Sequence, residues 1–438
     1  MVSHSTKSII FAGFALFAMF FGAGNLILPA MIGVQAGDKA YVAVLGFVLT
    51  GAVLTVAGMI AAGTLREGEE RIADRVGPRF GLIFTTILFV ATAMLYPTPR
   101  VAAVSFEMAA VPLVGSGHLQ LFFYTVIFFG ICYVLVRQPA KIIERIGGFL
   151  TPVLLILLVI LVVASYALPE LDHPTVEPYI DAPFVDGLIE GYFTMDSLAT
   201  LMYGPVILGA LSASGFVGKE LRRGMAWASI LAGSLLAICY VGLIHLGAVG
   251  DGPNGAVVIT QVSHQLFGRT GQLVFGVIIF LACLTTALGL LASSSDYFHK
   301  LFPKISQHGW LLIHLAVVFP LSNLGLETIL SLVAPINQLL YPITISLIVV
   351  ALIETIMPGK RRLAWAYRLG TYTAVIMAIP QALYSTKLSM FGPLREFLVI
   401  FPIGHLQMAW VVPTVVAIGT GIILDITSDR STTALEAR

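Results

Sequence analysis

Two glycines and an asparagine lie at the centre of the first apolar run, where a plain membrane span would carry leucine. The stretch FFGAGNL covers residues 20–26 inside the run Ser8–Gln35. Gly costs about 1 kcal/mol in a helix interior, and Asn prefers caps and turns. The stretch therefore predicts a helix that breaks after Phe21 and restarts near Asn25, with Pro29 in the first turn of the second half.

A second interruption lies in the sixth apolar run, where residues 191–198 read GYFTMDSL. An Asp in the middle of a span costs about 2.5–3.5 kcal/mol, so Asp196 needs a physical reason. Asp196 or Ser197 could cap a half-helix that restarts toward Leu201. Asp196 could otherwise pair with an ammonium group or take up a proton. Broken helices leave backbone groups that are tolerated only around a site or cavity, so the two breaks predict a solute and ion site.

Oxygen ligands for a small cation occur in the eighth apolar run. Ala282, Thr285 and Thr286 are spaced i, i+3 and i+4, so they share one helix face. Two hydroxyls opposite the free carbonyls of the first break would suit Na⁺. The alternative is that each Thr hydroxyl bonds its own helix backbone, which requires no ion.

One basic residue, Arg100, lies inside an apolar run. A charge in the membrane is costly, so we expect Arg100 to face an aqueous vestibule or a carboxylate. Glu107 lies two helical turns away on the same face. A gate ion pair is therefore one interpretation, and an Arg that snorkels toward the interface is the other.

The elements that must position these residues are membrane helices. The chain has 438 residues, of which 58% are hydrophobic and 11% are charged, whereas soluble proteins carry about 25% charged residues. Windows of bilayer length predict an all-α integral membrane protein with about twelve spans. The predicted spans are Ser8–Gln35, Ala40–Leu65, Phe80–Val111, Leu119–Val136, Gly147–Leu168, Val185–Leu211, Gly224–Gly247, Gly271–Ser294, Trp310–Leu321, Glu327–Ile356, Ala364–Tyr384 and Phe397–Ile426.

Basic residues predict the orientation, because they accumulate in cytoplasmic loops. With both termini inside, the inner loops hold 19 of the 24 Lys and Arg residues. The net charge of +1 indicates no nucleic-acid partner. The chain has no polar stretch longer than a loop and no Walker motif, which argues against an ATP-driven pump.

The positions of the two interrupted spans predict an inverted repeat. Spans 1 and 6 would each begin a unit of five helices, and an odd number of helices gives the two units opposite topology. The alternative is that both breaks are packing kinks, since Gly is common where helices pack closely. The predicted divisions are 1–168 for the first repeat, 169–357 for the second, 358–426 for two peripheral helices and 427–438 for a cytoplasmic tail.

Four stretches resemble the branched-chain amino acid:cation symporter family, the BrnQ-like carriers. They are FAMFFGAGNLILP (17–29), LYPTPRVAAVSFEM (95–108), GYFTMDSLATLMYG (191–204) and ACLTTALGLLASSSDYF (282–298). The resemblance implies the LeuT-type fold, in which ten core helices form a 5+5 inverted repeat with broken helices 1 and 6, plus two peripheral helices. It also implies a multi-pass protein of the bacterial inner (cell) membrane.

The resemblance further implies a substrate site at the breaks. The substrate carboxylate would meet the Gly22 and Gly24 amides, and its ammonium would meet nearby carbonyls. The substrate-binding residues are then Met19, Phe20, Gly22, Ala23, Gly24, Asn25, Phe193, Thr194, Met195, Asp196 and Ser197. The Na⁺ ligands are Ala18, Phe21, Ala282, Thr285 and Thr286, and the members of a weaker second Na⁺ site are Phe20, Asn25 and Thr194.

The function that this resemblance implies is import of Leu, Ile and Val by Na⁺ symport through alternating access. Na⁺ would be the coupling ion, with no organic cofactor and no obligatory protein partner. An H⁺-coupled or differently selective small-solute carrier on the same fold is the alternative. A membrane-embedded enzyme is much less expected, because the spans contain no Ser/His pair near the breaks, no Asp pair and no metal motif.

Overall fold

All regular secondary structure is helical in the part of the chain that the structure, a computed structural model, describes. No β-strand occurs among these residues. The described residues are 2–64, 71–138, 142–194, 196–324, 326–357, 362–386 and 388–436.

We number the main helices in chain order. They are α1 (Val2–Phe20), α2 (Ala23–Gln35), α3 (Gly37–Ala62), α4 (Pro78–Val114), α5 (His118–Val136), α6 (Ile142–Ser165), α7 (Pro183–Phe193), α8 (Asp196–Ala213), α9 (Gly218–Ala248), α10 (Gly255–Leu301), α11 (Gln307–Ser322), α12 (Leu326–Ile356), α13 (Ala364–Ser385), α14 (Leu394–Val399) and α15 (Val411–Glu436). Wider π-helical turns lie within three of them, at Leu49–Val53, Val90–Leu95, Phe106–Ala110 and Ile146–Leu150. Tighter 3₁₀ turns lie at Gly37–Lys39, Ile72–Arg75, Ser389–Phe391 and Gly404–Leu406.

Most of these helices can cross a bilayer. In the described part of the chain, eight are long and apolar enough, and the bent pair α1–α2 raises the number to nine. Helix α11, at the predicted ninth span, has 16 residues and is short for a bilayer, which takes about 20. The all-α membrane fold is thus confirmed, whereas the total of twelve spans and the 5+5 repeat stay predictions.

The first predicted break is present, but the second half of the helix begins earlier than predicted. Helix α1 ends at Phe20, α2 begins at Ala23, and the two are bent by 69°. Gly22 has an extended backbone (φ −95°, ψ −171°) and is the N-cap of α2, so the second half begins before Asn25. Pro29 lies inside α2 rather than in its first turn, and its missing N–H leaves the Asn25 carbonyl without its donor from within the helix.

The second break is also present, and a half-helix that runs toward Leu201 follows it as predicted. Helix α7 ends at Phe193, and α8 begins at Asp196. Met195 lies outside the described residues. Asp196 is therefore in the first turn of α8, where the positive end of the helix dipole favours a carboxylate.

Two other predicted spans have different bounds. The twelfth was predicted to begin at Phe397, but the chain turns sharply there before α15 begins at Val411. The turn contains two residues with left-handed backbone, Ile403 (φ 56°) and Gln407 (φ 59°), which no continuous helix could include. In α10, Gly268 (φ 59°) separates a shorter N-terminal helical segment from the predicted eighth span.

The chain divides into two compact units. One contains Met1–Met59 and Thr92–Ile329, and hence both breaks, whereas the other contains Ile60–Ala91 and Leu330–Arg438. The predicted division into repeats at residues 168 and 357 stays a prediction.

Within the second unit, a buried ion pair joins Arg75 to Glu354, with Nη1 and Oε2 2.8 Å apart. The hydroxyl of Tyr367 accepts a further hydrogen bond of 2.8 Å from the same nitrogen.

Glycine contacts hold the broken helices close to their neighbours in the first unit. A Cβ on Gly187 of α7 would collide with the Ala43 carbonyl of α3, and one on Gly247 of α9 would collide with the Ala30 carbonyl of α2. Small residues let helix backbones approach in a membrane, where no hydrophobic force between helices compensates for a gap. These seams fix the positions of α2 and α7, the half-helices next to the breaks.

Candidate functional site

The side chain of Asn25 joins the two breaks. Its Nδ2 donates a hydrogen bond of 2.7 Å to Oδ2 of Asp196, across 171 residues of sequence. The same nitrogen lies 3.0 Å from the Phe20 carbonyl and 3.1 Å from the Tyr240 hydroxyl. Asn25 and Asp196 are both buried, with exposed fractions of 2% and 7%. A buried acid is therefore held at the point where both membrane helices are interrupted.

The last carbonyls of α1 find hydrogen-bond donors on other elements, because the helix stops before it can supply its own. The Ala18 carbonyl accepts from Thr285 Oγ1 at 2.8 Å, and the Met19 carbonyl accepts from the Tyr203 hydroxyl at 3.3 Å. These oxygens bring the negative end of the α1 dipole into the interior of the unit.

The two threonines of α10 behave differently. Thr285 Oγ1 lies 2.9 Å from the Leu281 carbonyl and 3.1 Å from the Ala282 carbonyl, besides its contact with Ala18. Thr286 Oγ1 is buried and has no hydrogen-bond partner within the described ranges. It lies 3.2 Å from the position that a Cβ would take on Gly22. An unpaired hydroxyl therefore points at the first break.

Several predicted site residues thus come together. Ala18, Ala282 and Thr285 meet through hydrogen bonds, and Gly22 faces Thr286. In the predicted second ion set, Asn25 contacts the Phe20 carbonyl and the Thr194 hydroxyl donates to the Gly191 carbonyl at 2.8 Å. Both side chains also hydrogen-bond to Asp196.

Other predicted residues direct their side chains elsewhere. Met19 packs its side chain on Gly289 of α10, and Phe21 stacks on Phe17 with ring centroids 4.9 Å apart. Phe193 is half-buried, and the buried Ser197 hydroxyl has no partner among the described residues.

Sequence reasoning missed two tyrosines of the site. The Tyr240 hydroxyl meets Asn25, and the Tyr203 hydroxyl meets the Met19 carbonyl, while the Tyr203 ring packs on Phe20 with centroids 5.2 Å apart. A buried tyrosine in an apolar run needs a partner for its hydroxyl, and that need was the available signal.

A cavity of about 740 Å³ lies on the N-terminal side of the first break. Its walls come from α1, the start of α6, the second half of α8 and the end of α10. Charged side chains line it, including Lys7, Glu144, Asp296 and Lys300. Such a lining suits water, so this region of the unit forms a polar vestibule.

The comparison with known families shows to which family the chain belongs. Residues 5–428 match the model of the family described as "Branched-chain amino acid transport protein". The chain belongs to this family. It is 35% identical to the branched-chain amino acid permease BrnQ of Corynebacterium glutamicum, over 96% of both chains. It is also 35% identical to BraB of Bacillus subtilis, over 97% of both, and 32% identical to BrnQ of Escherichia coli, over 99% of both.

Solved structures with the same architecture are transporters of the LeuT fold. Mhp1, a nucleobase-cation-symport-1 family transporter, matches 98% of this chain and 93% of its own with a TM-score of 0.59 at 16% identity. MhsT in complex with L-phenylalanine matches 94% of this chain and 97% of its own with a TM-score of 0.55 at 17% identity. The predicted family and LeuT-type fold are confirmed, and the protein is a membrane transporter rather than an enzyme.

Proposed function

We propose that the protein imports leucine, isoleucine and valine together with Na⁺ by alternating access. The observation that carries the proposal is the Asn25–Asp196 hydrogen bond of 2.7 Å, which joins two broken helices at a buried acid. The permease names of the relatives support the substrate class. The hydrophobic side chains next to the breaks would suit the apolar part of such a substrate.

The ammonium group of the substrate binds near Asp196. A buried carboxylate in a membrane needs a cation or a proton, because an isolated charge is very costly there. No Lys, Arg or His of the described residues forms an ion pair with Asp196. The Phe20 carbonyl accepts a hydrogen bond from the same Asn25 nitrogen that bonds Asp196. It therefore lies near the carboxylate and can be a second acceptor for an ammonium group.

Na⁺ binds between the end of α1 and the face of α10. Na⁺ takes oxygen ligands, and carbonyls at broken helices supply them in carriers of this kind. The Thr285 hydroxyl can turn its hydrogen toward the Leu281 or Ala282 carbonyl, both within 3.1 Å, which releases the Ala18 carbonyl and its own oxygen for the ion. The Thr286 hydroxyl, buried and without a partner among the described residues, completes the set with Phe21 and Ala282.

The vestibule of about 740 Å³ serves as the inner half of the pathway. Its walls include the N-terminal part of α1 and the C-terminal part of α8. Because of the breaks, these two helices can move relative to α2 and α7, the other halves of the broken spans. The basic residues of the predicted inner loops support a location of this side in the cytoplasm of a bacterium, with both termini inside.

Coupling to H⁺ is the second candidate, and the isolation of Asp196 from basic groups favours it. A carboxylate that lacks a cation in the membrane can be neutralised by a proton instead. In that case Asp196 would load a proton with the substrate, and the oxygens around Thr286 would bind no ion.

Uptake of radiolabelled leucine into proteoliposomes tests the proposal. We expect leucine to accumulate when a Na⁺ gradient is imposed inward, with competition by isoleucine and valine. Accumulation under an H⁺ gradient alone, without Na⁺, would replace Na⁺ coupling by the second candidate. No accumulation under either gradient would overturn both.

A further inference from the structure

Arg100 lies in an irregular part of α4. The regular segment Pro97–Ser105 is flanked by the π-helical turns Val90–Leu95 and Phe106–Ala110, and the backbone bends at Tyr96 (φ −130°, ψ −78°). Wide turns of this kind are frequent at functional sites. The irregularity places the half-buried Arg100 side chain against α2 rather than in line with Glu107, which lines a different pocket.

The guanidinium group is held by an aromatic ring. Nη1 donates to the Tyr96 hydroxyl at 3.0 Å, and the guanidinium carbon lies 5.5 Å from the centroid of the Tyr96 ring. A stacked guanidinium keeps its orientation and presents the rest of its N–H fork to a ligand. No Asp or Glu of the described residues forms an ion pair with Arg100.

The free side of this guanidinium faces the first turn of α2. A Cβ on Gly24 would lie 3.8 Å from Arg100 Nη2. Gly24 is the second residue of α2, so its N–H has no acceptor within the helix. Gly24 is also half-buried, whereas Ala23 and Asn25 on either side are buried. A cation and the positive end of a helix repel each other, so this arrangement favours an anion between them.

The Thr286 hydroxyl is a second indication of a ligand at this turn. It is nine-tenths buried, lacks a partner among the described residues, and points at Gly22, the N-cap of α2. Its oxygen lone pairs can bind Na⁺ while its hydrogen stays available to an anion, so this contact adds to its role in the proposed ion site. A cation of α4 and a hydroxyl of α10 therefore converge on the first turn of one half-helix.

We propose that Arg100 is a further ligand of the substrate carboxylate, which it binds beside the backbone N–H of Gly24. This inference rests on the proposed function and deepens it. Arg100 and Asp196 contact the same helical turn through Gly24 and Asn25. The two charges have opposite signs, so they match the two ends of a zwitterion. A guanidinium fork binds a carboxylate with two parallel hydrogen bonds, which selects amino acids over amines.

Equilibrium binding of radiolabelled leucine to the purified full-length chain tests the proposal, with L-leucinamide as the competitor that lacks the carboxylate. In Arg100→Gln we expect the Kd for leucine to rise about 10- to 100-fold, the usual effect of losing a charged hydrogen bond. The Kd for L-leucinamide should change less than about twofold. Arg100→Lys should restore part of the leucine affinity, since an ammonium keeps the charge but not the fork.

Arg368→Gln is the matched control. Arg368 also lies over an aromatic ring, 6.0 Å from the Trp365 centroid, but it belongs to the second unit. We expect no change in leucine binding from this substitution. Equal losses for leucine and L-leucinamide in Arg100→Gln, or unchanged leucine binding, would overturn the assignment of Arg100. Failure of the wild-type chain to bind leucine would instead overturn the proposed function.

Discussion

At the scale of single residues, the two threonines of α10 differ in the hydrogen bonds that they make before an ion binds. Thr285 Oγ1 makes a hydrogen bond of 2.8 Å to Ala18 and so holds the end of α1 on α10. Thr286 Oγ1 makes none within the described ranges, although it is buried. Its burial without a partner costs about 1–3 kcal/mol, which a bound ion would offset.

The first prediction follows from this difference. Thr286→Ala should abolish the stimulation of leucine uptake by Na⁺ and should not lower the unfolding temperature without Na⁺, because no hydrogen bond is lost. Thr285→Ala should lower that temperature, since it removes the bond to Ala18. Uptake assays and thermal unfolding in detergent, each with and without Na⁺, measure both effects.

The control for these variants is Thr420→Ala, because the Thr420 hydroxyl bonds only its own helix, at Val416. We expect it to keep both Na⁺ stimulation and stability. Full Na⁺ stimulation in Thr286→Ala would remove that residue from the ion site.

The second prediction concerns the buried acid. Asp196→Asn keeps the shape and can still accept a hydrogen bond from Asn25, so the protein should fold. It removes the negative charge, so leucine uptake should fall more than about tenfold, as expected when a charged partner of the substrate is lost. Asn25→Ala should instead destabilise the fold by about 1–3 kcal/mol, because it leaves the buried carboxylate without this donor.

Leucine uptake and thermal unfolding of the two variants provide the measurement. A stable Asp196→Asn protein that takes up leucine at the wild-type rate would show that Asp196 serves only to cap α8.

At the scale of helices, the breaks depend on neighbours that hold the half-helices in place. Gly187 lets α7 approach the Ala43 carbonyl of α3 so closely that any side chain would collide. The Asn25–Asp196 bond joins the first turns of α2 and α8, and α8 follows α7 after two residues. A shift of α7 by even a few tenths of an ångström would therefore also move Asp196, because Asp196 begins the helix that follows α7.

The third prediction tests this seam. Gly187→Val should destabilise the protein by about 1–3 kcal/mol or more, since overpacking forces backbones apart, and should reduce leucine uptake. Gly130→Val is its counterpart, because a Cβ on Gly130 of α5 meets nothing within 4 Å. Thermal unfolding and uptake of both variants decide the matter, and equal tolerance of the two substitutions would contradict a role for the seam.

The helices also illustrate what the sequence can reveal. Both breaks were predictable, because Gly22, Gly24 and Asp196 are costly in a continuous span. The restart at Ala23 was not, since it depends on the extended backbone of Gly22 and on donors from other helices that receive the carbonyls of α1.

The hydrogen-bond partners of the residues at the breaks could not be predicted from the sequence either. The bond between Asn25 and Asp196 spans 171 residues, and no local pattern specifies such a pairing. Motif resemblance could name the residues of the site, but only the folded chain assigns Tyr203 and Tyr240 to them.

At the scale of the whole molecule, loop charges and the vestibule point to the same side. The inner loops were predicted from the distribution of Lys and Arg, and the vestibule lies beside Lys7 and Lys300, two of those basic residues. An aqueous space next to these loops would open to the cytoplasm, whereas the acidic loop around Asp172 would face the outside.

The last prediction uses single cysteines introduced on the two sides. Ala210 lines the vestibule and Asp172 is exposed, while the native Cys132, Cys239 and Cys283 are buried and should give little background. A membrane-impermeant maleimide should label Ala210→Cys in inside-out vesicles and Asp172→Cys in right-side-out vesicles.

Leucine with Na⁺ should slow labelling at Ala210→Cys, because closure around the substrate narrows the vestibule. Labelling from the opposite sides would reverse the predicted orientation, and labelling indifferent to leucine would exclude the vestibule from the pathway.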